Sequence, residues 1–248
     1  MSDSQAALIV DLGSTQVAWR GPDGFGVAVH EGRPGEVLVA RLGAPFPQRV
    51  VVGSVAAAEV TEVLCSTLRR CWNTTPELLR STAEAGGVRN GYRDPAQLGV
   101  DRWAAVVAAF YVHGGPLLVA DCGTALTLDY VDADGVHHGG LIAPGLGAMR
   151  AALVRNTRLT VQAIDGDIQD IPAFGQDTPA AVAAGCMEAV TGLLERVQAR
   201  VSAAEKSPCR LFITGGDAET ILAHLASPWQ PMPHLVLDGL GLLAREPK

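Results

Sequence analysis

The chain carries the stretch AALIVDLGST at residues 6–15, and a second stretch of the same pattern, PLLVADCGTA, at residues 116–125. Each joins an apolar run, typical of a buried strand, to an Asp-x-Gly turn that is followed by hydroxyl residues. An Asp-Gly pair follows each turn, Asp23-Gly24 in the first copy and Asp134-Gly135 in the second. Asp-Gly between β-like runs indicates a hairpin. The repetition therefore predicts two similar halves, each opening as strand, turn, strand, hairpin and strand.

The pattern between and beyond these stretches predicts alternating strands and helices, which favours an α/β fold. The glycines and proline of His113-Gly114-Gly115-Pro116 mark the boundary between the halves, which we place at 1–113 and 114–248. The sequence further predicts a loop at 85–99, helices after Arg102 and from Thr178, and strands at 50–52, 211–213 and 235–237.

Composition excludes several classes of protein. The net charge of −7 argues against general affinity for nucleic acid or anionic membranes. We find no apolar run long enough for a membrane span and no secretion signal at Met1-Ser2-Asp3-Ser4-Gln5. The five cysteines are odd in number and show no metal-ligand spacing, so we expect reduced thiols and a cytoplasmic location.

The two Asp-x-Gly turns suggest a nucleotide site. Two facing halves can place such turns on opposite sides of one cleft, where backbone N–H groups suit phosphate oxygens and an aspartate suits a hydrated cation. Thr214-Gly215-Gly216 supplies a third turn after a strand. A structural interpretation stays open: Gly13 and Gly123 also suit tight turns with positive φ, and Asp11 and Asp121 suit Asx turns.

The pair Asp101-Arg102 also admits two interpretations. Asp101 precedes a helical pattern and could cap that helix. Alternatively, a carboxylate and a guanidinium on a glycine loop could orient a substrate hydroxyl and bind a carboxylate. The six histidines form no ligand pattern and are interpreted as loop or surface residues, while Cys122 is interpreted as a small buried residue.

Taken together, the motifs resemble those of the type III pantothenate kinases, the family that includes the Bvg accessory factor proteins, within the actin, sugar kinase and Hsp70 superfamily. The resemblance covers nearly the whole chain and its motifs come in order. They are Asp11-Leu12-Gly13-Ser14-Thr15, Gly53-Ser54-Val55, Tyr92 with Pro95 and Leu98-Gly99-Val100-Asp101-Arg102-Trp103, Asp121-Cys122-Gly123-Thr124-Ala125-Leu126-Thr127 with Asp129, Gly139-Gly140-Leu141-Ile142-Ala143-Pro144-Gly145, Phe174-Gly175-Gln176-Asp177-Thr178 and Thr214-Gly215-Gly216.

The resemblance implies a fold and an activity. The fold would be two actin- or ribonuclease-H-like halves, each a mixed sheet flanked by helices, with the active site in the cleft. The activity would be phosphorylation of pantothenate to 4'-phosphopantothenate by ATP with Mg²⁺, the first step of coenzyme A biosynthesis. The family also implies a monovalent cation, K⁺ or NH₄⁺, and a homodimer, while the net charge predicts no nucleic-acid or membrane partner.

The resemblance also implies roles for individual residues. Asp101 would be the general base, Asp11 would handle the Mg²⁺–phosphate end of ATP, and Asp121 would bind the monovalent cation. The implied ATP-binding residues are Asp11, Leu12, Gly13, Ser14, Thr15, Gln16, Val17, Ala18, Gly123, Thr124, Gly215 and Gly216. The implied pantothenate-binding residues are Tyr92, Gly99, Val100, Asp101, Arg102 and Thr178, of which Thr178 would reach the neighbouring subunit's pantothenate.

Two positions depart from the family pattern. Ser14 stands where the family usually has asparagine, and Ala18 stands where some branches place lysine just before an aromatic residue, here Trp19. These departures support one alternative, a non-catalytic regulatory or binding protein of the same fold. Five retained residues speak against it: Asp11, Asp101, Arg102, Asp121 and Thr178. A further alternative keeps the kinase fold with another acceptor, for example a sugar.

Overall fold

The computed structural model describes residues 7–22, 24–43, 49–156 and 171–245. Asp23 of the first predicted hairpin and residues 157–170 lie outside the described residues. The chain forms two compact units, Met1–His113 together with His234–Lys248, and Gly114–Pro233. The division into halves 1–113 and 114–248 stays a prediction about domains, and the contacts group residues 234–248 with the first unit.

The elements alternate along the chain as the α/β pattern predicts. The strands are β1 Leu8–Leu12, β2 Gln16–Gly21, β3 Gly24–Val29, β4 Val50–Ser54, β5 Glu77–Leu78, β6 Glu84–Ala85, β7 Val88–Arg89, β8 Leu117–Cys122, β9 Ala125–Val131, β10 His137–Pro144, β11 Arg210–Thr214 and β12 Gln230–Pro231. The helices are α1 Pro34–Leu42, α2 Ala58–Trp72, α3 Val100–His113, α4 Leu146–Asn156, α5 Thr178–Ala204, α6 Ala218–Leu222 and α7 Leu235–Leu243, with a 3₁₀ turn at Pro95–Gln97.

The two five-stranded sheets have the same topology, so the sequence repeat is a structural one. The first has the order β3-β2-β1-β4-β5 and the second β10-β9-β8-β11-β12. In each sheet, the three strands that come first in the chain pair antiparallel with one another in sequence. The fourth strand pairs parallel with the first, and the fifth pairs parallel with the fourth. Both sheets are therefore mixed, and the Asp-x-Gly turn of each follows the central strand at its carboxyl end.

Each unit has its own apolar core. In the first, β1 and β4 pack against α1 and α2 through Leu8, Val10, Leu38, Leu64 and other fully buried residues. In the second, β8, β9 and β11 pack against the long helix α5, whose buried face carries Met187, Val190 and Leu194 at helical spacing. Burial of these cores fixes the central strands, and with them the turns at their carboxyl ends.

One predicted strand is wrong: residues 235–237 open the helix α7 instead of forming a strand. A short apolar run fits a buried strand and a buried helix equally well. Here the run forms a helix because the helix packs against α3. The fit is tight at Gly239, where an added Cβ would lie 1.9 Å from the carbonyl oxygen of Ala104. Only glycine allows this approach of the two helices.

Two smaller features refine the sequence interpretation. The segment predicted as a loop at 85–99 overlaps the short hairpin β6–β7, which begins at Glu84, and contains the 3₁₀ turn. The second predicted hairpin is confirmed, since Gly135 has φ 77° and its N–H donates to the Asp132 carbonyl between β9 and β10. Within the described residues, no helix is long and apolar enough to cross a membrane.

Candidate active site

The first Asp-x-Gly turn lies at the carboxyl edge of the first sheet. Strand β1 places Asp11 beside Gly53 of the parallel strand β4. The Gly13 N–H donates to the Gln16 carbonyl at 3.0 Å and closes the turn, and the Val55 N–H donates to the Leu12 carbonyl at 3.1 Å. Ser14, Thr15 and Gln16 are exposed. The turn is thus a held backbone loop whose outer side faces solvent.

The second Asp-x-Gly turn lies at the equivalent place in the second unit. Strand β11 runs parallel to β8 and places Thr214 beside Asp121. The Gly123 N–H closes the turn on the Ala125 carbonyl, and the Asp217 N–H donates to the Cys122 carbonyl at 2.9 Å. The third predicted turn, Gly215-Gly216, is thereby joined to the second.

The two turn glycines contradict one part of the structural interpretation, the prediction of positive φ. Neither Gly13 nor Gly123 is among the residues with positive φ. An added Cβ would lie 3.4 Å from the nearest atom at Gly13 and 3.8 Å at Gly123, which is ordinary contact. Backbone strain and crowding within the chain therefore explain neither glycine. Close approach of a ligand to the backbone would explain both.

Gly215 is different, because the fold itself requires a glycine there. Its φ is 97°, and an added Cβ would lie 2.4 Å from the Cys122 carbonyl oxygen and 2.6 Å from Oδ1 of Asp121. A carbonyl oxygen and a carboxylate oxygen therefore lie close together at this turn. Oxygen atoms of these two kinds are the ligands that hard cations take.

Asp101 lies in the first turn of α3, one residue inside the helix. Its Oδ1 accepts a hydrogen bond of 2.7 Å from the Arg102 N–H, so the carboxylate does satisfy a helix N–H group. An added Cβ on Gly99 would lie 2.5 Å from the same Oδ1 and 3.5 Å from Val55. The glycine thus leaves room for the half-buried carboxylate to fold back over the loop.

Val55 links the Asp101 loop to the first Asp-x-Gly turn. Its N–H bonds to Leu12, and its side chain borders Gly99. The first unit therefore brings the predicted phosphate turn and the predicted base to one edge of the sheet.

Tyr92 and Arg102 also meet in the first unit. Arg102 is almost fully buried, and its Nη1 donates a hydrogen bond of 2.8 Å to the phenolic oxygen of Tyr92. The guanidinium carbon lies 5.7 Å from the centre of the Tyr92 ring, within cation–π range. These two residues, ten apart in the sequence, form one hydrogen-bonded pair next to Asp101.

Thr178 stands at the start of α5, as the sequence predicts. Asp177 caps the helix by accepting a 2.8 Å hydrogen bond from the Ala180 N–H, and Pro179 follows in the first turn. The exposed Thr178 borders an open pocket of about 960 Å³ between α4 and α5, which Met149, Leu153 and Val182 also line.

Ala18, the position where a lysine is missing, is the cross-strand neighbour of Asp11. Directly opposite residues in an antiparallel pair have Cβ atoms only about 5 Å apart. A lysine at this position would therefore stand next to the carboxylate that ends β1. Among the described residues, no three His, Cys, Asp or Glu side chains lie close enough together to hold a metal ion.

The prediction that all six histidines are loop or surface residues is wrong for His137, which is buried in strand β10 with its Nε2 2.8 Å from Oδ1 of the buried Asp129. His30 lies in a loop, as predicted, but it is buried. His30 contacts the first Asp-x-Gly turn, with its Nε2 3.1 Å from the Gly13 carbonyl oxygen. In the sequence, His30 is marked only by its position directly after a strand of alternating exposure, Gly24–Val29.

A second residue that the sequence interpretation missed is Arg150 on α4. Two of its guanidinium nitrogens, Nε and Nη2, are buried and have no hydrogen-bond partner among the described residues. It lies near Asp217, whose pKa burial raises and the guanidinium partly lowers again. An arginine beside the turn that carries Gly215 and Gly216 is a further candidate for contact with an anion.

Cys122 behaves as the sequence predicts. It is buried, and burial together with the neighbouring Asp121 and Asp217 carboxylates raises the pKa of its thiol far above the ordinary value. The thiolate is the nucleophilic form of cysteine, so this thiol is chemically inert at neutral pH.

Comparison with known proteins identifies the group to which this arrangement belongs. A family model described as type III pantothenate kinase matches residues 7–200. A type III pantothenate kinase of Azoarcus sp. (strain BH72) is 39% identical over 243 residues, which is 96% of this chain and 90% of that protein. Another, from Alkalilimnicola ehrlichii, is 41% identical over 214 residues, 86% of this chain and 85% of that protein.

The solved structures agree on the fold. The crystal structure of a Baf family protein from Campylobacter jejuni superposes with a TM-score of 0.61 at 20% identity and covers 96% of this chain and 97% of that chain. A crystal structure described as a 2-dehydro-3-deoxygalactonokinase protein from Sinorhizobium meliloti superposes with a TM-score of 0.59 at 15% identity and covers 96% of this chain and 98% of that chain. The predicted fold, two similar halves with mixed sheets, is confirmed.

Proposed function

Because this chain belongs to the type III pantothenate kinase family, we propose that Asp101 is the general base with which it phosphorylates pantothenate. The family assigns the reaction itself: phosphoryl transfer from ATP, with a divalent metal ion, to pantothenate in coenzyme A biosynthesis. The roles of individual residues of this chain in that reaction are our proposal.

The position of Asp101 carries the proposal. Its carboxylate is half-buried at the sheet edge, next to the predicted phosphate turn and next to Tyr92 and Arg102. In the proposed step the hydroxyl oxygen of pantothenate bonds to the γ-phosphorus, the bond from that phosphorus to ADP breaks, and Asp101 takes the hydroxyl proton. A positioned base contributes about 10²- to 10⁴-fold to such a rate.

We assign the ATP phosphates to the two Asp-x-Gly turns. Support comes from the glycines, since neither positive φ nor crowding accounts for Gly13 or Gly123. Phosphoryl transfer depends mainly on positioning and charge stabilisation, which closely approaching N–H groups supply. Mg²⁺, when bound, neutralises charge on the phosphate oxygens. Asp11 would act on this ion through the phosphates or through water. The described residues include no group of three His, Cys, Asp or Glu side chains that could hold the ion directly.

We assign the monovalent cation, K⁺ or NH₄⁺, to Asp121. Support comes from Gly215, whose tight approach leaves the Asp121 carboxylate and the Cys122 carbonyl close together. A cation there would offset the repulsion between Asp121 and a phosphate at the neighbouring turn.

We further propose that pantothenate lies against Tyr92 and Arg102 and that the active unit is a homodimer in which Thr178 reaches the partner's substrate. A planar guanidinium suits the pantothenate carboxylate. Exposed apolar side chains of the second unit, Leu141, Ile142 and Phe174, support an interface on that unit.

The deciding experiment is a coupled assay of ADP release from ATP with Mg²⁺ and K⁺, run with and without pantothenate, with the product identified by mass spectrometry. We expect release that depends on pantothenate and a product heavier by one phosphoryl group. Release that depends on a sugar instead would move the chain to another acceptor. Nucleotide binding without turnover on any acceptor would support the regulatory alternative.

A further inference from the structure

The two turns differ in how the chain supports them, and the difference centres on His30. In the first unit the His30 N–H donates to the Thr15 carbonyl at 3.1 Å, and in the second the Gly145 N–H donates to the Thr124 carbonyl at 3.1 Å. Each donor directly follows the third strand of its sheet, and each acceptor directly precedes the second. His30 and Gly145 are therefore structural equivalents.

The second turn has no room for a side chain at this position. An added Cβ on Gly145 would lie 2.1 Å from the Gly123 carbonyl oxygen. The backbone alone closes that turn, in which Gly123 bonds to Ala125, two residues on. The first turn is one residue longer, since Gly13 bonds to Gln16, three residues on. The longer turn leaves the space that the His30 ring fills.

The hydrogen bonds of His30 fix its tautomer. The Gly32 N–H donates to Nδ1 at 3.0 Å, so Nδ1 carries no proton. The proton of the neutral ring is then on Nε2, which donates to the Gly13 carbonyl at 3.1 Å. The side chain is 3% exposed, so water competes little for either bond. Backbone and ring together thus hold two carbonyl groups of the turn, Thr15 and Gly13.

Holding the Gly13 carbonyl also directs the next amide. In a trans peptide the C=O and the following N–H point in opposite directions. The Ser14 N–H therefore points away from His30, and Ser14 is an exposed residue. We infer that His30 is a positioning residue that orients the Ser14 amide of the first turn toward the phosphates of ATP. The inference rests on the proposed role of that turn in ATP binding.

The test compares three substitutions of His30. His30→Leu removes both side-chain hydrogen bonds. His30→Asn keeps an acceptor near Nδ1 for the Gly32 N–H but is too short to reach Gly13. His30→Gln places a donor near Nε2. Leu38→Val, in the apolar core of the same unit, is the control for a general loss of stability. Each is titrated calorimetrically with ADP and Mg²⁺ in the absence of pantothenate, and KM is measured separately for ATP and for pantothenate.

We expect His30→Leu and His30→Asn to weaken ADP binding and raise the KM for ATP by about 3- to 10-fold, the equivalent of one hydrogen bond. The KM for pantothenate should stay unchanged, and His30→Gln should recover most of the lost affinity. His30→Asn serves if His30→Leu does not fold. Unchanged ADP affinity in His30→Asn would overturn the inference, as would an equal loss in Leu38→Val.

Failure of the inference can be told apart from failure of the proposed function. If wild-type protein releases ADP in the presence of pantothenate and the His30 variants bind ADP normally, only the positioning role is wrong. If wild-type protein neither binds ADP nor turns over, the assignment of the turn to ATP is wrong as well.

Discussion

Arg102 donates a hydrogen bond of 2.8 Å from Nη1 to the phenolic oxygen of Tyr92 while its backbone N–H donates to the Asp101 carboxylate. Arg102 therefore contacts both Asp101, the proposed base, and Tyr92, a proposed pantothenate-binding residue. A guanidinium held in this way has a fixed plane, which suits recognition of a substrate carboxylate.

Arg102→Lys should weaken pantothenate binding by about 10-fold or more and leave ATP binding nearly unchanged, because lysine keeps the charge but loses the planar pair of donors. Separate titrations with each ligand measure this. Tyr92→Phe is the matched variant, since it removes the 2.8 Å contact and keeps the ring. Equal weakening of both ligands by Arg102→Lys would indicate a structural role.

Asp101→Asn should lower kcat by about 10²- to 10⁴-fold with little change in nucleotide affinity, because the amide cannot take a proton. Its oxygen can still accept the hydrogen bond from the Arg102 N–H, so the thermal midpoint should stay close to that of the wild type. Single-turnover kinetics and a thermal melt measure the two effects. A large fall in the melting temperature with kcat preserved would favour the helix-capping interpretation.

Gly13→Ala should separate binding from stability. The φ of Gly13 is not in the left-handed region and an added Cβ meets only ordinary contacts, so the fold should keep or slightly gain stability. ATP affinity should nevertheless fall by about 10-fold or more, if phosphates approach the backbone within hydrogen-bond distance.

Gly215→Ala is the contrasting variant for Gly13→Ala. Its φ of 97° and the 2.4 Å approach to the Cys122 carbonyl should cost stability of about 1–3 kcal/mol. Denaturant melts and calorimetric titrations on both variants check the pair. Normal ATP affinity in a stable Gly13→Ala protein would remove the first turn from the ATP site.

Potassium or ammonium should activate the enzyme, and sodium should do so poorly. The reason is the proposed cation site at Asp121, where a carboxylate lies close to the Cys122 carbonyl. Steady-state rates in matched chloride salts at constant ionic strength test this. Asp121→Asn should show low activity in every salt. Equal rates in potassium and sodium for the wild type would contradict the assignment.

Mixing two inactive variants should restore activity if the sites are shared between subunits. Asp101→Asn removes the base and Thr178→Arg blocks the proposed contact with the partner's substrate. A heterodimer then keeps one site with both native residues, so partial activity should return after subunit exchange. Light scattering gives the first check, because a mass near 25.8 kDa would exclude the dimer. Exchange without any recovery would place Thr178 in its own subunit's site.

The sequence predicted the parts of the fold that depend on short-range patterns. Apolar runs ending in Asp-x-Gly marked β1 and β8 correctly, and Asp177 before Pro179 marked the start of α5. The repeat of these patterns was enough to predict two similar halves, and the sheets confirm it with matching strand orders.

What the sequence did not predict depends on contacts between distant segments. The run at 235–237 satisfies strand and helix patterns alike, and only packing against α3 decides between them. The role of His30 was hidden for the same reason, because a lone histidine after a strand gives no sign that its ring reaches Gly13. The buried nitrogens of Arg150 likewise become visible only when α4 lies beside Asp217.

The return of α7 to the first unit makes that unit discontinuous in the chain, since its final helix is separated from α3 by the whole of the second unit. A ribosome therefore synthesises Asp101 and the surrounding strands long before the helix that packs on α3 emerges. Gly114–Pro233 holds its whole core in one continuous segment, whereas the core of the first unit is completed only by residues that follow that segment. A released chain truncated after Pro233 should thus contain a folded second unit and an unfinished first unit.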